Sequence, residues 1–160
     1  PARRLGRGGG RGLVRLTPWT RVSGYRDRRA TLLRLRLVEA VPPVQLAIRL
    51  LVPQGSHLLH MADFAAQVGP FDEAMLGYPW QAADPRVDTL QRDVMAWVMD
   101  TEKTALPRAE VFAGIWARTH AALGETAPSL DPAQFSETIP HHSEPWYCCA
   151  EPTETQLASF

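Results

Sequence analysis

The sequence predicts an α/β protein: a short α/β portion over residues 17–68, followed by a mostly helical portion over residues 69–138. A nearly continuous apolar run at 44–52, bounded by prolines, is typical of a strand buried on both faces. Helical patterns before and after this run give the alternation of an α/β protein. Later in the chain, two segments with helix start and stop signals predict a helical hairpin. The 160 residues and the 45% hydrophobic content suit one domain of ordinary size.

Residues 1–16 are predicted to be a disordered basic arm. The first twelve residues contain five glycines and four arginines and show no hydrophobic period. Such a segment is typical of RNA binding, because guanidinium groups stack on bases and pair with phosphates. A phosphate loop is excluded, since no strand precedes the glycines and no Gly-Lys-Ser/Thr follows them. The composition favours a flexible end without a specific role.

Charge divides the chain sharply. Residues 1–36 hold eleven arginines and one acidic residue, whereas residues 37–160 hold six basic and sixteen acidic residues. This asymmetry can mark a nucleic-acid or membrane arm, or a basic segment that packs on an acidic partner. Because the chain has a single lysine, the arginine excess is also what a GC-rich genome would give. We therefore expect nucleic acid not to be the partner.

The α/β portion is predicted element by element. Leu13–Leu16 alternates apolar and basic residues, as a short strand does, and the segment from Thr17 to Thr20 breaks it at Pro18. Thr20 or Ser23 is expected to cap a helix over 24–37, although its apolar stripe is ragged. The buried strand is predicted over 44–52. Ser56 is then expected to cap a helix over 57–66.

The helical portion has clearer signals. Residues 71–80 are irregular and aromatic and are expected to pack over the body. Asp84-Pro85 is a strong helix start, and apolar spacing continues that helix to about residue 103. A second helix is predicted from Pro107 to a glycine cap at Gly124. Asp131-Pro132 begins a final helical turn, and no internal repeat is present.

His57 and His60 share a face of the predicted helix, and their spacing could hold a metal ion. A metal also needs a third ligand, and Asp63 is the one candidate nearby. We therefore interpret the two histidines as partly exposed residues at a helix start rather than as ligands.

Residues 139–160 form a cysteine tail. It contains His141, His142 and the chain's two cysteines, Cys148 and Cys149. Zinc could bind these groups with Glu144 or Glu151, but adjacent cysteines suit one ion poorly. Vicinal thiols could instead exchange with a disulfide or close a strained, labile one. Packing beside Trp146 and Tyr147 as small buried hydrophobes is the equal alternative at this point.

Several classes are excluded or disfavoured by composition. No run of about 18 apolar residues is present, as a transmembrane helix requires, and no secretory signal pattern opens the chain. Two adjacent cysteines do not make a disulfide framework, so a cytoplasmic compartment is the expectation. The first residue is Pro1 rather than Met, which favours a piece of a longer protein.

The segment Pro-Trp-Tyr-Cys-Cys-Ala-Glu-Pro over 145–152 resembles the terminal signature of a radical S-adenosylmethionine (radical SAM) family named for its Cys-Cys-Ala-Glu-Pro ending, in which some members carry selenocysteine at the second position. Thr-Pro-Trp-Thr at 17–20 and the segment 41–56 are similar to the last strands of a radical SAM barrel. Together the matches span about 17–152. The resemblance implies that residues 17–68 are the C-terminal end of a partial (β/α) barrel.

The resemblance also implies an activity, reductive cleavage of S-adenosylmethionine by a [4Fe–4S] cluster to give a substrate-attacking radical. The cluster motif Cys-x3-Cys-x-x-Cys is absent from this sequence, so cluster and S-adenosylmethionine would be bound by a missing N-terminal part and neither by this chain alone. Cys148 and Cys149 are then implied in redox or substrate handling, with Glu151 as a proton acceptor. Residues 1–16 lie outside the resemblance and match no known family, and their arginine- and glycine-rich composition could reflect translation in a wrong frame. The substrate, a small molecule or a peptide, cannot be assigned, because most barrel loops would lie elsewhere.

Two alternatives of other classes stay open. One is a small nucleic-acid-binding protein that uses the arginine- and glycine-rich arm. The other is a metal-binding tail protein with His141, His142, Cys148 and Cys149 as ligands.

Overall fold

A computed structural model describes residues 16–135, and these residues are mostly helical. The helices are α1 (Val22–Arg34), α2 (Ala62–Ala65), α3 (Pro85–Lys103) and α4 (Arg108–Ala121). Three 3-10 turns lie between or after them, at Pro43–Leu46, His57–His60 and Pro132–Phe135. Within 16–135 there is no β-strand, only isolated bridges. The helical part of the predicted fold class is therefore confirmed, and the described residues give no support for a barrel sheet.

The helical hairpin is confirmed by α3 and α4, which pack against each other. The Asp84 side chain accepts a hydrogen bond from the Arg86 amide and so caps α3, with Pro85 at the first helical position. After α4, Gly124 has a φ of 73°, the left-handed conformation expected of a glycine that ends a helix. The sequence signals at both helix ends are thus the ones that the structure uses.

Helix α1 begins earlier and ends earlier than the sequence predicted. Its N-cap is Arg21, and no side chain caps it, so the caps predicted at Thr20 and Ser23 are wrong. The Thr20 hydroxyl instead accepts from the Thr17 amide, 2.9 Å away, and closes the turn that precedes the helix. The helix stops at Arg34 because Arg36 takes a positive φ of 53°, which a right-handed helix does not allow.

The strand predicted over 44–52 is wrong. Its first residues form the 3-10 turn Pro43–Leu46, and one parallel bridge joins Leu16 to Arg49. The apolar run is buried as predicted, since Val44, Leu46, Ala47, Ile48 and Val52 are all inaccessible. That burial comes from helices rather than from neighbouring strands. The turn packs against α3 and α4, and the Leu46 carbonyl accepts from Tyr25 and Arg29 of α1. An apolar run of this length indicates burial but does not distinguish a strand from a turn.

The helix predicted over 57–66 is broken into the turn His57–His60 and the short helix α2. Its start signal is confirmed: the Ser56 hydroxyl accepts from the Leu58 amide at 3.4 Å. Residues 71–80 are irregular as predicted. They lie on the body through the Tyr78 amide, which donates to the Val52 carbonyl at 2.8 Å.

Buried hydrophobic residues from 16–68 and from 69–135 belong to one core cluster. Its largest fully buried side chains include Tyr25, Phe64 and Phe112, one from each of three helices. No helix within 16–135 combines the length and the apolar character needed to cross a bilayer.

Candidate functional site

The site residues predicted from the sequence lie outside the described residues. Cys148, Cys149 and Glu151, together with His141 and His142, fall after residue 135, and residues 1–15 of the basic arm fall before the described part. The last residue assigned to that arm, Leu16, is 3% exposed and bridged to Arg49, so the prediction of disorder is wrong at this residue. The functional geometry available is therefore that of the helical body.

His57 and His60 are both exposed on their 3-10 turn, with ring centroids 6.5 Å apart. The nearby carboxylate, Asp63, accepts a hydrogen bond from the Trp19 indole at 2.9 Å instead. Among residues 16–135, no three His, Cys, Asp or Glu side chains are grouped as a metal site would need. The histidine pair is thus a pair of exposed side chains without a third ligand in the described part of the chain.

A cluster of His120, Glu125 and Arg26 was not anticipated from the sequence. His120 lies in the last turn of α4, and the left-handed residue Gly124 turns the chain back so that the Glu125 amide donates to the His120 carbonyl at 2.9 Å. The Glu125 carboxylate consequently lies 3.1 Å from His120 Nδ1. The same carboxylate accepts from Arg26 of α1 at 3.2 Å and 3.3 Å. The signal in the sequence was the Gly124 cap, which places the residue after it over the last helical turn.

The geometry of this cluster orients the imidazole of His120. Because a carboxylate only accepts hydrogen bonds, His120 Nδ1 donates to Glu125, and this bond fixes the orientation of the ring. The ring is 5% exposed and lies edge-on to Trp116, with centroids 4.4 Å apart. Nε2 is buried and has no hydrogen-bond partner among the described residues. A substrate cannot reach this nitrogen in the structure. The cluster is therefore structural: Glu125 bonds to Arg26 of α1 and to His120 of α4 and so joins the two helices.

A second polar cluster, Arg49 with Asp88 and Trp80, ties the irregular segment to α3. Arg49 Nη1 lies 2.6 Å from Asp88 Oδ1, and both side chains are mostly buried. The guanidinium also donates to the Trp80 carbonyl and lies 3.8 Å from the centroid of that indole. Asp88 Oδ2 accepts from the Ala82 amide at 2.9 Å. Both Nη atoms of Arg49 and both oxygens of Asp88 are thus hydrogen-bonded within the protein. This arrangement is typical of an ion pair that stabilises the fold.

Helix α1 concentrates positive charge near the core. Arg29 is 2% exposed, donates to the Leu46 carbonyl at 2.7 Å and lies 3.6 Å from the Tyr25 ring centroid. It forms no ion pair with a carboxylate of residues 16–135, and its Nε is buried without a partner there. Burial, and then the charge of Arg29, lower the pKa of the neighbouring Arg28 guanidinium. Cation–π stacking and one carbonyl thus hold a buried charge that usually needs a carboxylate.

An open groove of about 390 Å³ lies between the start of α3 and the end of α4. Leu90 and Ala122 line it, and Arg118 and Asp93 stand at its edge. Those two charged groups pair with each other at 3.3 Å, and Arg118 also lies over the Trp97 ring. The polar groups of the groove are therefore used within the protein.

Comparison of the chain with protein-family models, with curated proteins and with solved structures finds no match. The described residues form a mostly helical body, and the two polar clusters described above join its helices and loops.

Proposed function

We propose that this chain is the C-terminal part of a radical SAM enzyme of the type that ends in Cys-Cys-Ala-Glu-Pro. The observation that carries the proposal is the segment over 145–152, which places both cysteines of the chain side by side between prolines. Adjacent thiols can exchange with a disulfide or handle an electrophilic substrate, and neither use needs a further cysteine.

The residues of this chain do not fit the cluster of that enzyme class. A [4Fe–4S] cluster takes three or four cysteine ligands, and the chain has two cysteines in all. Reductive cleavage of S-adenosylmethionine is therefore assigned to residues outside these 160. The role proposed for this portion is to supply the cysteine tail.

The proposal includes the end of a (β/α) barrel within 17–68. This part of the proposal rests on the resemblance of segments 17–20 and 41–56, because residues 16–135 contain no strand. An isolated bridge between Leu16 and Arg49 is parallel. The Leu16 amide donates to the Ile48 carbonyl at 3.1 Å, and the Leu50 amide donates to the Leu16 carbonyl at 2.9 Å. In the proposed whole enzyme, further strands would extend this pairing.

In the cysteine tail, Cys148 and Cys149 act in redox or substrate handling and Glu151 accepts a proton. A thiol reacts as its thiolate, so a carboxylate two residues from Cys149 is well placed in sequence to take the thiol proton. Family resemblance is what favours thiol chemistry over simple packing of the two cysteines.

The first test is the genomic sequence upstream of Pro1. An in-frame or frame-shifted Cys-x3-Cys-x-x-Cys there supports the proposal, and its absence overturns it. The full-length enzyme, reconstituted anaerobically with iron and sulfide, is then expected to convert S-adenosylmethionine to 5′-deoxyadenosine and methionine under a low-potential reductant.

The second test concerns the thiols. In the full-length enzyme, Cys149→Ser is expected to abolish turnover of substrate while leaving the cluster spectrum intact. Ser143→Ala, a substitution in the same tail without a thiol, is the matched control and should turn over normally. Unchanged turnover of Cys149→Ser would contradict the role of the thiol without touching the assignment of the enzyme class.

A further inference from the structure

Residues 71–78 form a projecting loop, the Leu76 loop, with an exposed leucine near its tip. The Asp72 and Gly77 amides each donate to the carbonyl of the other residue, at 2.9 Å and 3.2 Å. The Asp72 carboxylate also accepts from two amides of the turn, at 2.8 Å and 3.2 Å. Leu76 is 70% exposed, more than any other large hydrophobic residue of the described chain. The loop is thus closed by its own hydrogen bonds and presents an apolar end.

The stability of the described body does not explain a leucine at position 76. Its φ is 51°, in the left-handed region that glycine and asparagine adopt at lower cost than leucine. The side chain lies mostly in solvent, so packing within residues 16–135 does not offset that cost. An apolar side chain that is both strained and exposed indicates a contact outside the described body.

The same loop is acidic. Asp72 and Glu73 are both exposed, and neither belongs to an ion pair within residues 16–135. No lysine or arginine occurs between residues 50 and 85 of the sequence. A surface that fits this loop is therefore concave and apolar, with cationic residues around it.

The open groove between α3 and α4, the α3–α4 groove, is such a surface. Its volume is about 390 Å³, and its apolar lining consists of Pro85, Leu90, Ala121 and Ala122. Arg86 and Arg118 also line it. Each of these two arginines pairs with one carboxylate, Asp84 and Asp93 respectively. The lining thus provides an apolar floor with charged groups at its edge.

Two further arginines flank this groove. Arg92 is exposed and donates to Thr89, a lining residue, at 3.3 Å. Arg21 lies near Asp84, whose pKa is lowered by the Arg86 side chain and, to a smaller extent, by the charge of Arg21. Neither Arg21 nor Arg92 forms an ion pair with a carboxylate of residues 16–135. Around the groove the arginines therefore outnumber the carboxylates by two.

We propose that the Leu76 loop of one copy of the chain binds the α3–α4 groove of a second copy. Leu76 contacts the apolar floor, and the carboxylates of Asp72 and Glu73 face the flanking arginines. The loop does not occupy the groove of its own chain, since Leu76 is exposed there. Because the two surfaces differ, the contact is heterologous. It uses only described residues and is independent of the radical SAM proposal.

The test is self-association of the 160-residue chain, measured by sedimentation velocity with a reducing agent that keeps the cysteines from linking copies. The average mass is expected to rise with protein concentration, and salt should weaken the association because it screens the charged groups. One loop in a groove is smaller than the roughly 1,600 Å² of a standard interface, so high protein concentrations are needed. A chain that stays monomeric up to about 1 mM overturns the proposal.

Leu76→Asn separates the contact from the fold. Asparagine adopts a positive φ more readily, so this variant should be at least as stable as wild type in urea. Its association constant should fall at least about tenfold, because the apolar tip is lost. Leu35→Asn is the matched control, since Leu35 is a 52% exposed leucine at the end of α1, and it should associate as wild type does. Undiminished association of Leu76→Asn, or an equal loss in the control, contradicts the proposal.

Ala121→Glu tests the groove. Ala121 is an exposed lining residue, so the substitution places a carboxylate where the acidic loop binds and should abolish association. Native amide spectra confirm that the variant is folded. A folded Ala121→Glu variant that associates as wild type does would show that the copies meet through another surface.

Mixing the two variants decides the arrangement. Leu76→Asn keeps an intact groove and Ala121→Glu keeps an intact loop, so the mixture should form a one-to-one complex although neither variant associates alone. A mixture that stays monomeric contradicts the contact between loop and groove. A peptide of alternating leucine and lysine that shifts the amide signals of residues 71–78, while the chain itself stays monomeric, would assign the loop to a different basic protein and overturn binding to a second copy.

Discussion

The indole of Trp97 occupies the space that a side chain at position 114 would fill. Trp97 Nε1 donates to the Val111 carbonyl at 3.0 Å, and the ring lies flat enough on α4 that a Cβ at Gly114 would come within 3.0 Å of three ring atoms. Arg118 covers the ring at 4.3 Å from its centroid. The absent side chain of Gly114 therefore sets how closely α3 and α4 approach.

We expect Gly114→Ala to destabilise the protein. The new methyl group would force the Trp97 ring off its bond to Val111, and overpacking of this kind costs about 1–3 kcal/mol. The free energy of unfolding, measured with urea, is the readout.

Gly24→Ala is the matched control. Gly24 lies within α1, and a Cβ there would meet no atom within 4 Å. Because alanine is the better helix former, this variant should gain about 0.5–1 kcal/mol. Equal stability of the two variants would contradict the proposed contact between Trp97 and Gly114.

Removing the carboxylate of Asp88 should cost about 2 kcal/mol, because it leaves the mostly buried Arg49 without its ion pair and the Ala82 amide without its acceptor. Urea denaturation of Asp88→Ala measures this loss. Asp93→Ala breaks the more exposed pair with Arg118 and should change stability by less than about 1 kcal/mol. A comparable loss in the two variants would mean that burial does not strengthen the Asp88 pair.

The cap of α3 should make stability fall in acid. Hydrogen bonds from the Arg86 side chain, outweighing burial, hold the pKa of Asp84 below its ordinary value of 3.8. A carboxyl whose pKa is lower in the folded state contributes stability that is complete above the ordinary pKa and is lost as the pH falls through the folded value. Asp84→Asn keeps a good cap without charge. The difference in the free energy of unfolding between wild type and this variant, measured with urea, should therefore be constant near neutral pH and shrink below pH 3.8. A difference that does not change with pH would contradict the lowered pKa of Asp84.

Two substitutions of His120 separate the contribution of its ring volume to stability from the contribution of its hydrogen bond. His120→Ala removes a buried ring beside Trp116 and should cost about 2–4 kcal/mol. His120→Phe keeps the volume and removes the buried Nε2 that has no partner within 16–135, so it should stay within about 1 kcal/mol of wild type. If thermal denaturation shows the two variants equally damaged, the bond from Nδ1 to Glu125 carries the stability instead.

The helix signals show where sequence alone is sufficient. Asp84-Pro85 and Gly124 act through backbone geometry within a few residues, so the ends of the helical hairpin follow from local chemistry. The prediction of the α1 cap failed because Thr20 and Ser23 are both suitable capping residues in sequence. In the structure the Thr20 hydroxyl accepts from the Thr17 amide in the preceding turn and does not cap the helix. His120 and Glu125 could be associated only by following the chain through the Gly124 turn.

By itself, the sequence determined that residues 44–52 would be buried, that two helices would form a hairpin, and that the two cysteines would stand together in an acidic tail. Only the tertiary structure decided the backbone of the buried run. Apolar side chains leave water in a strand or in a turn, so hydrophobicity fixes burial without fixing backbone conformation. What settles the conformation is the partner of each carbonyl, and here the Leu46 carbonyl accepts from Tyr25 and Arg29, two side chains of α1 rather than a neighbouring strand.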